Sequence, residues 1–312
     1  MTAAAPATPD APVSATGTIA DGARPPADEN AYKVRRHSKH TFGRTNWWTT
    51  LLAIVLSLTI LVPLYFTVVT AFKTPEQLAA SGWGLPDSWS LDNFRTAWDM
   101  TSYPKRVLTS SIITVGATVF TILSNSMVSY ALARNMHRRW VKAMYYYIVA
   151  ALFVPFPIIM LPVVKETALL HIDNEAGLIL LYVVYGLAFN ILMYTSFIKS
   201  IPEELEEAAA IDGASRWGIF WKVIFPLLSP MNATVGILTC LWAWNDFLLP
   251  LVILTDQSKA TLPLAQYVFQ GQFNTNYPVS FASYLMAIAP MFLVYVIAQR
   301  WVISGVMRGS QK

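Results

Sequence analysis

Long apolar runs separated by short polar segments set the pattern of this 312-residue chain. Six runs are long enough to cross a hydrocarbon core of roughly 30 Å as helices rising about 1.5 Å per residue. They cover about Trp47–Phe72, Val107–Ala133, Ala143–Val164, Ala176–Ile198, Met231–Leu254 and Phe281–Gln299. The second is the most polar, with Thr109, Ser110, Ser111, Thr114, Thr118, Ser124, Asn125, Ser126 and Ser129. Hydroxyls and amides at that density predict a helix facing protein or a wet pathway rather than lipid. Prolines at 63, 155, 157, 162, 250 and 290 predict kinks, because neighbouring helices can satisfy the carbonyls they free. The fold class predicted is all-α, a polytopic membrane protein of about six transmembrane helices.

Composition agrees with the pattern. Hydrophobic residues make up 55% of the chain and charged residues 13%, about half the share usual in a soluble domain. The net charge of +4 carries no basic stripe interleaved with aromatic residues, so no nucleic-acid partner is expected. Cys240 stands alone in an apolar run, cannot form an internal disulfide, and is read as a small buried residue.

Residues 1–30 are rich in Ala, Pro, Thr, Asp and Gly, which bury too little surface to offset ordering entropy. The domain reading is therefore a disordered tail, 1–45, ending in the cations Lys33, Arg35, Arg36, Lys39 and Arg44, and a transmembrane domain, 46–312. No secretory signal is expected in the tail, because the first apolar run is too long for one. With the N-terminus inside, the inner segments hold those five cations and Arg134, Arg138, Arg139, Lys142, Lys199, Arg216, Lys222, Arg300, Arg308 and Lys312. The outer segments hold only Lys73, Arg95, Lys105, Arg106, Lys165 and Lys259. That bias places both termini of a multi-pass membrane protein in the cytoplasm.

The inner loop 200–230, much longer than the inner turn at 134–142, separates the fourth and fifth runs. Ser200 followed by Glu203 predicts a capping box, and Pro202 is tolerated in a first turn. Glu203, Glu204, Glu206 and Glu207 suit the positive end of a helix dipole. Ala208, Ala209 and Ala210 permit close approach by a partner, and Asp212-Gly213 predicts a stop with glycine left-handed. Trp217, Phe220, Trp221 and Ile224 then fall on one helical stripe, closed by Pro226. From the residues alone, this is a helical hairpin that could simply rest on the membrane surface.

The spacing is more specific than that. Glu207-Ala208-Ala209, Gly213 three residues on, and Val223-Ile224-Phe225-Pro226 nine residues further resemble the EAA loop of binding-protein-dependent ABC importer permeases. Val223 and Phe225 depart from the family's usual Ile and Leu but stay apolar. Ala210–Ala214 and Ile219-Phe220-Trp221 resemble the carbohydrate-uptake branch, in particular the second permease subunit of maltose-type systems. The resemblance covers about residues 40–312. It implies a coupling-helix pair, with Glu207, Ala208, Ala209, Asp212, Gly213, Trp217, Phe220 and Pro226 acting on an ATPase dimer. It also implies a second, homologous permease subunit, an extracytoplasmic sugar-binding protein, a sugar or oligosaccharide as cargo and contact with membrane lipid.

Other motifs are less specific. Trp244-Asn245-Asp246-Phe247 lies in the fifth run and matches a branch pattern. A carboxylate there needs a wet interior or a partner. Asn245 and Asp246 are thus either substrate-pathway residues or makers of a structural helix–helix bond. The outer segment at about 255–280, with Gln270-Gly271-Gln272-Phe273 and Asn276-Tyr277-Pro278, is read as a docking loop for the binding protein rather than a plain connector. The outer loop at 73–105, with Trp83, Trp89 and Trp98, is read as a second docking element or an aromatic belt at the interface. His37, His40, His137 and His171 share no metal-ligand spacing. No phosphate loop of the G-x-x-x-x-G-K kind occurs and no catalytic cluster stands out, so the chain is expected to be no enzyme, with no cofactor of its own. ATP and Mg would be used by the partner ATPase. The alternative is an ion-coupled secondary transporter, which would need further intramembrane carboxylates or histidines.

Overall fold

The protein is described by a computed structural model covering residues 47–269 and 276–310. Among the described residues there are helices and turns and no strand. The tail at 1–45 and the Gln270–Phe273 motif lie outside them. By internal contact the chain divides into residues 1–58 and 59–312, the first represented only by 47–58.

Helix α1 (Trp47–Ala71) runs unbroken through Pro63 and is apolar over its whole length. Beyond it, Lys73 is buried, and its ammonium donates to the carbonyls of Ser81 (2.7 Å) and Gly82 (3.1 Å). That cation is a staple of the loop rather than a solvated charge. Thr74 caps α2 (Pro75–Ala80) in a capping box with Gln77. Helix α3 (Asp92–Thr101) follows, and α4 (Tyr103–Arg134) is the 32-residue second span.

The third run is not one helix. Helix α5 (Arg139–Ala150) ends in a 3₁₀ turn at Ala151–Phe153, and the chain bends by 107° into α6 (Phe156–Leu169). Pro155 forces Val154 into extended backbone, and prolines at 155 and 157 supply no amide donors, so the helix cannot continue. Pro162 and Pro290, by contrast, are accommodated inside their helices. Helix α7 (Glu175–Ile198) starts where Asn174 accepts from the amides of Ala176 and Gly177.

After α7 come α8 (Glu204–Ile211), α9 (Arg216–Ile219), one π turn (Phe220–Ile224), α10 (Phe225–Leu227) and α11 (Ser229–Asn245), the last bent by 74° from the α9–α10 stretch. The fifth run breaks too. Helix α11 stops at Asn245, Asp246 is extended, and α12 (Leu248–Ile253) restarts. Helix α13 (Leu262–Ala265) leads toward α14 (Tyr277–Ser310).

Four helices, α1, α4, α7 and α14 to Ile297, are each long and apolar enough to cross a membrane, and up to six spans result if bent pairs count as one. The packing centre is α4 with α7 and α11. Their close approach depends on missing side chains: a Cβ at Gly116 would lie 2.8 Å from Ile179 Cδ1, and one at Gly236 would lie 3.0 Å from Ile122 Cδ1.

Candidate functional site

The 200–230 segment folds as the predicted hairpin, with its joint at Gly213. That residue has φ of +83°, which glycine adopts freely. The amide of Ala214 donates to Ala209 O and that of Gly213 to Ala210 O, so the final carbonyls of α8 are satisfied and the chain reverses. Ser215 then caps α9, its hydroxyl accepting from the Gly218 amide at 3.1 Å.

The capping box at Ser200 does not form. Ser200 Oγ donates instead to Phe197 O, extending the last turn of α7, and Glu203 caps α8 without a side-chain bond. Two of the four glutamates, Glu203 and Glu206, pair instead with Arg134 at the end of α4. Its Nε lies 2.7 Å from Glu206 Oε1, one terminal nitrogen lies 3.5 Å from Glu203 Oε1, and the other donates to Ile201 O at 3.0 Å. Tyr130 donates to Glu206 Oε2 at 2.6 Å. The Arg134 and Glu206 side chains are only 13% and 15% exposed.

The aromatic stripe divides in two. Phe220 and Ile224 are buried, in one apolar cluster with Ala133 of α4, Tyr194 and Ile198 of α7, Leu228 between α10 and α11, and Val235 of α11. Trp217 (62% exposed) and Trp221 (39%) face outward. Pro226 does not end the helix. The Phe225 amide reaches back five residues to Phe220 O, and the wider turn makes room for a proline that has no donor of its own. The hairpin therefore has an inner face that shares a core with three long helices. Its outer face carries Glu204, Leu205, Glu207, Ala208, Ile211, Asp212, Gly213 and Trp217, all exposed. Ala209 is half-buried against the core, and Pro226 is exposed.

Asn245 and Asp246 sit at the α11–α12 break but face different cavities. Asp246 accepts from the Tyr182 hydroxyl at 3.0 Å through Oδ2 and from the Leu248 amide at 3.0 Å through Oδ1, which caps α12. It lines a cavity of about 780 Å³ with Tyr147, Phe156, Tyr185 and Trp242. The Val154 break between α5 and α6 opens on the same cavity. Two interrupted helices thus expose irregular backbone at one place, the arrangement expected where backbone lines a pathway rather than lipid. Asn245 donates to Leu241 O in its own helix and lines a second cavity of about 380 Å³ with Gln266, Tyr267 and Tyr284.

A model of the family described as binding-protein-dependent transport system inner membrane component matches residues 125–308, from the middle of α4 to the end of α14. The chain belongs to that family. Among its relatives, the multiple sugar-binding transport system permease protein MsmG of Streptococcus mutans is 39% identical over 271 residues, 85% of this chain and 97% of that protein. A probable starch degradation products transport system permease protein, AmyC of Thermoanaerobacterium thermosulfurigenes, is 35% identical over 84% of this chain and 96% of its own. The crystal structure of a bacterial ABC transporter that imports the acidic polysaccharide alginate contains a chain of like fold. Its TM-score is 0.70 at 21% identity, over 81% of this chain and 94% of that one. This chain is accordingly an inner membrane transport component, and nothing in these likenesses favours an ion-coupled carrier.

Arg134, Tyr130 and Tyr182 are functional candidates that sequence reasoning missed. Arg134 was visible only as one inner cation among many, and neither tyrosine carried a signal. Among the described residues no group of His, Cys, Asp and Glu is placed to hold a metal ion.

Proposed function

We propose that this chain is one permease subunit of an ATP-driven importer for a saccharide. The observation that carries this reading is the α8–α9 hairpin. Its exposed acidic-and-apolar face has no partner among the described residues, while its other face is built into the core of α4, α7 and α11. A separate ATPase dimer grips the outer face, with Leu205, Ile211 and Trp217 as apolar anchors and Glu207 meeting basic groups. Closure of that dimer moves the hairpin as a rigid unit, because Gly213 is the joint of a short, fully capped turn. The buried Phe220–Ile224 edge passes the movement to the three long helices.

The pathway runs between this subunit and a second, related permease, past the two helix breaks. There Asp246, positioned by the buried Tyr182, and the rings of Tyr185 and Trp242 offer what sugars need, namely a partner for hydroxyls and flat apolar faces. Cargo arrives from an extracytoplasmic binding protein, and the charge bias puts the hairpin and both termini on the cytoplasmic side. The names of the relatives support a carbohydrate cargo, and the aromatic lining around Asp246 agrees with it.

Purification from native membranes tests the proposal. The tagged chain is expected to bring down a second permease and an ATPase. Sugar uptake by the purified chain alone in liposomes, driven by an ion gradient and indifferent to ATP, overturns it.

A further inference from the structure

We infer that Arg134 is the residue through which the hairpin drives α4, making α4 a direct lever of the transport cycle rather than a passive neighbour. The inference rests on the coupling role proposed above for the hairpin. The hairpin is covalently joined only to α7 and α11, so any pull on it reaches those two helices through the chain itself. Arg134 adds a third attachment. Its guanidinium holds the chain at three points in succession, the Ile201 carbonyl, Glu203 and Glu206, and Tyr130 holds Glu206 a second time from one turn earlier on α4. The planar fork of arginine is suited to such multiple grip, and burial shields the Arg134–Glu206 bond from water, whereas Glu203 is largely exposed. The three held groups lie before and within the first turn of α8, so the clamp fixes the helix that the ATPase is proposed to grip.

A second observation bears on how α4 would respond when pulled. Thr114, Thr118, Thr121, Asn125 and Ser129 recur every three or four residues along α4, mostly buried, and five of their polar atoms make no hydrogen bond among the described residues. Opposite Thr121 and Asn125, on α7, Asn190 is buried with its amide nitrogen also unbonded, beside Gly186, while Thr118 lies against Gly236 of α11. The seam between α4 and α7 is therefore polar and closely packed but poor in directional bonds. A helix can shift along it without first breaking a ladder of partners, and the free donors and acceptors are available to a second register. Helix α4 is thus held at both ends, by Tyr130 and Arg134 at the hairpin and by Tyr103, Arg106 and Ser110 near its start, with the poorly bonded stretch Thr114–Ser129 between them.

The test uses the complete transporter, both permeases with the ATPase, reconstituted in liposomes with its binding protein, and reads sugar taken up per ATP hydrolysed. Arg134→Gln and Glu206→Gln are expected to lower that ratio about tenfold, within the range of ordinary coupling effects, while hydrolysis persists. Arg134→Lys, which keeps the charge but not the fork, is expected to lie between wild type and Arg134→Gln. Should Arg134→Gln not be recovered in a folded complex, Tyr130→Phe decides, because it removes a single bond to Glu206 and keeps the ring; a ratio about threefold down is then expected. A ratio equal to wild type in these variants, with uptake and hydrolysis falling together, overturns the lever and leaves Arg134 a structural clamp. Failure of the wild-type complex to couple ATP to uptake would count instead against the proposed function.

Discussion

The hydroxyl of Tyr182, buried in the middle of α7, donates to Asp246 Oδ2 at 3.0 Å and ties that helix to the break between α11 and α12. The other carboxyl oxygen holds the Leu248 amide, so one side chain both caps the restarted helix and lines the cavity. Removing it leaves a buried hydroxyl and an amide without their acceptor, at a cost of about 1–3 kcal/mol. Asp246→Ala is expected to reduce sugar uptake at least about tenfold in an assembled transporter. Tyr182→Phe, which spares the cap, is expected to reduce it about threefold. Uptake assays on purified, reconstituted complexes check both, and an Asp246→Ala transporter with wild-type uptake would remove the site from the pathway.

Gly213 has a positive φ, yet nothing lies within 4 Å of where its Cβ would be. Substitution is therefore a test of backbone alone. Gly213→Ala is expected to cost about 1 kcal/mol and to retain most transport. Gly213→Pro cannot reach that φ and is expected to abolish coupling while the membrane helices still fold. Circular dichroism of the purified variants, alongside uptake, separates folding from coupling.

Two aromatic residues three apart should behave oppositely. Phe220 is buried and packs against Tyr130, Trp221 and Phe225, with ring centroids 5.5, 4.9 and 5.9 Å away. Phe220→Ala is expected to destabilise the subunit by about 3–5 kcal/mol, visible as a lowered unfolding temperature in detergent. Trp217→Ala removes an exposed ring and is expected to shift stability by no more than about 0.5 kcal/mol while weakening retention of the ATPase. Equal melting points for the two variants would contradict the burial pattern.

Glu207 is exposed and has no side-chain bond among the described residues, in contrast to Glu206 one position earlier. Glu207→Lys should leave the subunit intact and weaken ATPase association about tenfold, an effect that shrinks as salt is raised. Binding measured at two ionic strengths checks the sign.

The helix inventory was legible because lipid fixes a minimum apolar length, and α1, α4 and α7 begin and end within a few residues of the apolar runs. The Gly213 joint was legible because few other residues take that backbone. The breaks were not. Hydropathy sees Trp242–Leu254 as one run and is blind to Asp246 capping a new helix, and the prolines at 155 and 157 announced a kink without its angle. The Arg134–Glu206 pair was illegible for a different reason. Its members are 72 positions apart, and each had an adequate local explanation, one as an inner cation and the other as a dipole-matched first-turn acid. Only the fold brings them together.

The central claim is that ATP hydrolysis in a partner reaches the transport pathway through the α8–α9 hairpin. The most direct measurement is sugar transported per ATP hydrolysed by the reconstituted transporter, compared between wild type and Gly213→Pro. The account predicts ATP-dependent uptake in the wild type and continued hydrolysis with little or no uptake in the variant. Undiminished uptake per ATP in a correctly assembled Gly213→Pro transporter would contradict it.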